Sequence, residues 1–167
     1  MKRVYGMLGA AVIACGVGTT HAAEIKIGFV DVQRIQRESA PAQRASKLLE
    51  KEFAPKLQEL QRREAELKSA QSTLEKEAMT MAESDRRVRE QDLARLSVDF
   101  QRMQREYRED LNLRRNQELA SLFERADRVI KKIANEDKYD LILQEAVFRS
   151  SRIDITDKVL KALAESK

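Results

Sequence analysis

The sequence predicts a mainly α-helical chain with a small β part, in which a long antiparallel coiled-coil arm is inserted into a small β-rich oligomerisation body. Three observations lead to this fold class. Short segments near residues 25 and 140 are rich in strand-forming residues. The zone between them has no glycine and repeats apolar residues at helical spacing. Charged residues reach 36% and aromatic residues only 5%, which is typical of long solvated helices.

Residues 1–22 have the pattern of a secretory signal peptide. Lys2 and Arg3 provide a short positive start, an apolar stretch follows, and small residues stand near the cleavage position. We expect cleavage after Ala22, because the apolar stretch is too short to remain as a membrane-spanning helix. In the alternative interpretation, the segment ending at Cys15 is a lipobox and Cys15 is lipidated.

Removal of this leader also removes the only cysteine and the only histidine. A disulfide, a cysteine nucleophile, a Ser-His pair and a typical zinc site are then excluded. No glycine-rich phosphate loop is left, because Gly28 is the only glycine after the leader. The carboxylates are spread along helices beside Lys and Arg. We therefore predict that the chain is not an enzyme and needs no metal or other cofactor.

The charge balance of the mature chain is close to neutral. The whole chain has 32 Lys and Arg against 28 Asp and Glu, and the leader holds two of the basic residues. A formal charge of +2 is left for the mature chain. So small an excess argues against a general nucleic-acid binder. We predict no nucleic-acid partner.

The two ends of the mature chain are expected to form one β-rich body. Its N-terminal part covers 23–40 and contains a predicted strand over 25–32. Its C-terminal part covers 137–167 and contains predicted strands over 139–143 and 146–148. These parts are too short to bury a self-sufficient core and leave strand edges open, so we expect several copies to assemble.

A short final helix is predicted after these strands, with Asp154 or Thr156 as its cap. The apolar face of this helix consists of Val159, Leu160 and Leu163.

Residues 41–136 are predicted to form the helical hairpin arm. One seam position recurs every seven residues as Phe53, Leu60, Leu67, Leu74 and Met81. The companion position reads Leu57, Glu64, Gln71 and Ala78. Half of this seam is polar or small, which predicts an arm whose two helices pair weakly.

Pro41 fits a first helical turn. Pro55 falls inside the pattern, and its missing N–H predicts a kink or a restart of the helix. This is either a local break or a hinge at the base of the arm.

The heptad register changes after Met81, which predicts a chain reversal near 83–86. A second apolar run consists of Leu93, Leu96, Phe100, Met103 and Tyr107, and a third consists of Leu119, Leu122, Ala126, Val129 and Ile133. Ser84 or Asp85 is the expected cap of the returning helix. Periodicity alone also allows one continuous helix through this region.

Two sets of arm residues are candidates for binding. Dispersed apolar contacts with a partner are predicted for Met79, Met81, Phe100, Met103 and Tyr107, because Met adapts to irregular surfaces. The alternative is pairing between the two helices of the arm. A basic stretch contains Arg102, Arg105, Arg114 and Arg115, which form either an anion-binding patch or an ordinary solvated face.

Four segments make the chain similar to the Skp (OmpH-like) family of periplasmic chaperones. They are IKIGFVDV (25–32), LEKEF (49–53), YDLIL (139–143) and DITDKVL (154–160). The resemblance implies a periplasmic homotrimer with a central β-barrel-like body and three helical arms that enclose a cavity. It also implies ATP-independent binding of unfolded outer-membrane proteins in that cavity, which prevents their aggregation.

The same resemblance implies a lipopolysaccharide site, or contact with an anionic membrane surface, at Arg114 and Arg115. The chain lacks the lysine that accompanies this pair in the family, and Arg102 and Arg105 are its nearest substitutes. The principal alternative function is a structural or lipid-anchored coiled-coil protein of the envelope.

Overall fold

The computed structural model describes residues 24–166, so the predicted signal peptide and Cys15 lie outside the described residues. Six elements follow one another in chain order. They are β1 (Ile27–Phe29), α1 (Val32–Glu38), α2 (Ala40–Glu77), α3 (Glu83–Asp137), β2 (Leu141–Leu143) and α4 (Thr156–Glu165). The predicted fold class, long helices with a small β part, is confirmed. Within 24–166, no helix combines the length and the apolar character that crossing a membrane requires.

The small sheet consists of β1 and β2, which pair in parallel with Gly28 opposite Ile142. Parallel neighbours need a long crossover connection, and here the whole arm is that connection. Phe29 of β1 also bridges to Asp154, so β1 lies between β2 and the segment that leads into α4. A side chain at Gly28 would crowd the ring of Tyr139 at 3.3 Å, so the glycine permits this close approach.

Two strand predictions need correction. The strand predicted over 25–32 is limited to β1, because the carboxylate of Asp31 accepts a 3.0 Å hydrogen bond from the backbone N–H of Arg34 and starts α1 there. The third strand, predicted over 146–148, is not formed in the described chain. Val147 is fully exposed and Phe148 is 84% exposed. This apolar run favours a strand but finds no partner segment within one copy.

The arm is a hairpin of α2 and α3. Three ion pairs between the helices establish their antiparallel order: Glu52 with Arg114 at 3.3 Å, Lys56 with Asp110 at 2.6 Å, and Glu77 with Arg89 at 3.3 Å.

The N-terminal end of α2 has the expected chemistry. The hydroxyl of Ser39 accepts a hydrogen bond from the backbone N–H of Ala42 at 3.3 Å, and Pro41 occupies the first turn. α2 continues through Pro55, so the predicted restart of the helix is wrong. Proline removes one helical hydrogen bond, and the turns on both sides keep the helix in register. A hinge at Pro55 stays a prediction.

The reversal of the arm lies at 78–82, a few residues before the predicted position. Glu83, Ser84 and Asp85 already belong to the first turn of α3. The capping position is occupied by Ala82, and neither Ser84 nor Asp85 caps the helix as predicted. Two of these residues, Glu83 and Asp85, carry negative charge near the helix N-terminus, where the helix dipole favours it. The alternative of one continuous helix is therefore wrong.

The hydrophobic core lies where the C-terminal part of α3 meets α1 and α4. Val30, Ile35, Val159 and Leu163 are at most 1% exposed. The side of α3 that faces them contributes Leu122, Ala126 and Ile133. Leu160 packs against the cluster, so the predicted apolar face of α4 is confirmed. α3 then ends at Asp137, and the left-handed backbone of the following Lys138 (φ 58°) turns the chain toward β2.

A polar network joins the start of α1, the start of α4 and the segment before α4. The backbone N–H of Asp31 donates to the hydroxyl of buried Thr156 at 2.9 Å. One carboxylate oxygen of Asp154 accepts from the backbone N–H of Thr156 at 2.9 Å, and the other accepts from Nε of Arg149 at 3.0 Å. The Arg149 guanidinium also reaches Asp31 at 3.3 Å and lies 4.4 Å from the ring of Phe29. The sequence prediction named Asp154 or Thr156 as the cap of α4. It is wrong, because Ile155 occupies the capping position without a side-chain cap bond. Asp154 lies one residue earlier and accepts from the first backbone N–H of α4.

Candidate functional site

The surface of the arm is the largest candidate site, and its seam is tight only near the body. We call 40–57 and 107–137 the root of the arm and 58–106 its tip. Phe53 and Leu60 are 4% and 7% exposed, whereas the later seam residues Leu67, Leu74 and Met81 are only half-buried. The packing between the helices therefore weakens toward the tip.

Charged groups along the arm mostly pair within their own helix. Lys56 is an exception, because its ammonium reaches Asp110 on the other helix. The hydrogen bond that the Lys56 ammonium donates to Asp110 raises the pKa of Lys56 above its ordinary value. Both side chains are about half exposed, so this pair fixes the alignment of the helices more than it stabilises the fold.

The predicted apolar contact residues have different surroundings. Tyr107 packs edge to face against Phe53, with ring centroids 5.8 Å apart, so it belongs to the pairing between the helices. Met81, Phe100 and Met103 are half-buried along the seam. Met79 is 94% exposed at the reversal of the arm. The structure therefore leaves Met79 fully available to a partner, and the role of all five as contact residues stays a prediction.

The four arginines of the predicted anion patch do not share one face of α3. Arg114 donates to Glu52 and Glu118, and Arg102 donates to Asp99. Arg105 and Arg115 have no ion-pair partner within the described residues. Arg105 and Arg114 are about 180° apart around the helix, because nine residues separate them at about 100° each. The patch stays a prediction, with Arg105 and Arg115 as its unpaired members.

A groove that the sequence analysis did not predict runs between α2 and α3 at the root of the arm. We call it the root groove. Its volume is about 670 Å³, and α1 borders one end through Arg37. The apolar part of its lining consists mainly of Leu49, Phe53, Leu57, Tyr107, Leu111 and Leu119. A signal was present in the sequence: Ala42, Ala45 and Ala54 on α2 are too small to fill the space beside α3.

A smaller groove of about 170 Å³ lies between the same two helices on their other side. Its lining includes Arg44, Leu48 and Arg125. Leu48 and Leu57 are about 180° apart around α2, since nine residues separate them. The two grooves flank the seam and share Ala45, Glu118 and Leu122, but Leu48 and Arg125 line only the smaller one.

Residues 24–166 contain no cluster of three or more His, Cys, Asp or Glu residues that could bind a metal ion. The sites that the described chain offers are open surfaces on a helical arm.

A small mixed body carrying a long, thinly packed helical hairpin defines the fold of this chain. The chain belongs to the OmpH-like family of outer membrane proteins, whose family model matches residues 26–163. The resemblance seen in the terminal segments is confirmed.

Several curated relatives have the name chaperone protein Skp. That of Salmonella typhimurium is 31% identical over 156 residues, which cover 89% of this chain and 95% of the relative. That of Escherichia coli K12 is 30% identical over 155 residues, which cover 91% of this chain and 94% of the relative. A crystal structure from Caulobacter crescentus CB15, described as an OmpH-like outer membrane chaperone, superposes with a TM-score of 0.72 at 16% identity. It covers 97% of this chain and 90% of that chain, and the likeness concerns the fold.

Proposed function

We propose that this protein is a periplasmic holdase chaperone, which binds unfolded outer-membrane β-barrel proteins between its helical arms without ATP and prevents their aggregation. The observation that carries the proposal is the seam position of α2 that buries Phe53 and Leu60 but leaves Leu67, Leu74 and Met81, farther along the arm, only half-buried. Such a surface offers many weak contacts and no single rigid pocket, which suits partners of varied sequence. The relatives named chaperone protein Skp support the same function.

The working form we propose is a homotrimer. The body pairs only two strands of three residues each, so a single copy leaves edges to which another chain can add. Val147 and Phe148 follow β2 in the chain and are exposed, so a monomer leaves their apolar surface in contact with water. Contacts with further copies would bury both features.

Two further parts of the proposal follow from the sequence. The mature protein would begin after Ala22 and act in the periplasm. The family consists of chaperones, and the absence of catalytic activity in this chain belongs to the proposal. Lipopolysaccharide or an anionic membrane surface is a second proposed partner, which would bind through the arginines of the arm, above all the unpaired Arg105 and Arg115.

The decisive experiment measures the mass of the purified complex by native mass spectrometry, with and without a urea-unfolded outer-membrane β-barrel protein. We expect a trimer that takes up one such client and suppresses its light scattering after dilution. A monomer that leaves the scattering unchanged would refute the proposal.

The mass of the mature N-terminus tests the alternative of a lipid-anchored envelope coiled coil. Acylation at Cys15 would support this alternative, whereas an unmodified N-terminus at Ala23 is expected for the chaperone.

A further inference from the structure

We propose that the root groove is a docking site for client segments in which a large apolar side chain stands next to a carboxylate. The inference rests on the chaperone function proposed above and names the feature of the client that the arm recognises. It moves the principal contact from the methionines near the reversal of the arm to the root.

The apolar floor of the groove is large enough for aromatic side chains. Its volume of about 670 Å³ lies within the range of about 300–1,000 Å³ that small-ligand sites show. The edge-to-face pair of Phe53 and Tyr107 provides one wall. Leu57 lines the same groove and is 42% exposed, so an occupant would remove its apolar surface from water.

The length of the groove fits an extended chain. On α2 it spans residues 42–57, which is about 22 Å at a rise of about 1.5 Å per residue. An extended segment advances about 3.3 Å per residue, so six or seven client residues would lie along the groove. An unfolded polypeptide has this form, whereas a folded protein rarely presents it.

Charge gives the groove a preference for acidic segments. Arg37 and Arg115 line it, and neither has an ion-pair partner among the described residues. Glu50 and Glu118 line it as well, but Glu118 is bonded to Arg114 at 3.2 Å. Two unpaired guanidinium groups therefore face one unpaired carboxylate. A client carboxylate would accept a charge-assisted hydrogen bond from either arginine.

The chain provides a matched control for each part of the groove. Leu57→Ser changes the root groove, and Leu48→Ser changes a similarly exposed leucine on the opposite face of the same helix. Arg115→Gln removes a charge from the root groove. Arg125→Gln removes an unpaired arginine from the opposite groove of α3. All four positions are at least partly exposed, so the variants are expected to fold.

The test uses the assembled full-length mature protein and short fluorescein-labelled peptides, with binding measured by fluorescence anisotropy. One peptide repeats Phe-Asp steps between polar residues, the second repeats Phe-Lys, and the third repeats Ser-Asp. Circular dichroism and native mass first establish that each variant has the fold and the assembly of the parent.

We expect the parent to bind the Phe-Asp peptide more tightly than the other two. Arg115→Gln should weaken this binding about fivefold and reduce the preference for Asp over Lys, as expected for a partly exposed charge-assisted contact. Leu57→Ser should reduce the preference for Phe over Ser. Both controls should stay within about twofold of the parent, because the side chains of Leu48 and Arg125 do not line the root groove.

Equal losses in a groove variant and its control would overturn the inference, as would equal affinities for the three peptides. Saturation of the groove by a second copy of the arm would appear as a larger assembly at native mass, and it would also refute the inference. Suppression of β-barrel aggregation by the parent is measured in parallel. If the parent suppresses aggregation while the peptides fail to discriminate, the groove is refuted and the chaperone function stands.

Discussion

The carboxylate of Asp154 is expected to be a main stabilising contact of the body, and Asp154→Ala tests it. One of its oxygens bonds the first backbone N–H of α4, a cap-like contact of about 0.5–2 kcal/mol. The other pairs with Arg149, and with side chains 20% and 36% exposed this adds up to about 1 kcal/mol. Together they predict a loss of about 1–3 kcal/mol in the free energy of unfolding. Asp154→Asn keeps an oxygen for Thr156 and should lose about 1 kcal/mol or less.

The free energy of unfolding that Asp154→Ala loses should depend on pH in a defined direction. Burial by itself raises the pKa of Asp154, but hydrogen bonds from Thr156 and Arg149 outweigh it and hold the pKa below its ordinary value. A lowered folded-state pKa means that the carboxylate stabilises the fold above the unfolded-state pKa of about 4. This stabilisation disappears as the pH falls through the lower folded-state pKa. The difference between parent and Asp154→Ala should therefore be full at pH 7 and shrink below about pH 4.

Urea unfolding followed by circular dichroism at one fixed protein concentration gives both quantities, since assembly makes stability depend on concentration. Asp127→Ala is the matched control, because its carboxylate pairs with Lys131 on the exposed face of α3 and should contribute less than about 0.5 kcal/mol. A variant at Asp154 that is no less stable than this control would refute the reasoning, as would a loss that is constant from pH 7 to pH 3.

Three further changes have expected outcomes. Leu163→Ala empties a fully buried core position and should cost about 2–5 kcal/mol in urea unfolding, with an unchanged slope. A double-mutant cycle of Phe53→Leu and Tyr107→Leu should give a coupling of about 0.5–1.5 kcal/mol, and additive losses would contradict the edge-to-face contact. Pro55→Ala should narrow the range of client sizes bound in the mass assay, and an unchanged range would remove the hinge hypothesis.

The arm could be predicted from the sequence because its determinants are local. Helix periodicity and the change of register after Met81 require only neighbouring residues. They placed the reversal within a few residues of its position at 78–82. The left-handed end of α3 at Lys138 lacked such a signal, since glycine usually occupies this conformation. The missing strand at 146–148 was not predictable either, because a strand depends on a partner that periodicity does not show.

The candidate site was harder to predict than the fold, because it joins distant parts of the chain. Arg37 on α1 and Arg115 on α3 line one groove only after the hairpin folds back on the body. The sequence alone could predict that the arginines of the patch do not share one face of α3. A count at about 100° per residue separates Arg105 from Arg114. The pairing of Arg114 with Glu52 depended on the alignment of two helices and was not accessible.

The polar residues in the seam explain how a thin arm can stay folded and still expose apolar surface. Glu64 and Gln71 occupy companion positions of the seam, where leucine would pack the two helices tightly against each other. Each bonds within its own helix instead, Glu64 with Lys68 at 2.6 Å and Gln71 with Glu75 at 3.1 Å. They support helix formation without adding to the pairing between helices. A few ion pairs and the buried root align the two helices. The remaining apolar side chains are only partly buried within the arm. The stability of the arm therefore depends mainly on its buried root, and its surface remains available for weak contacts with a client.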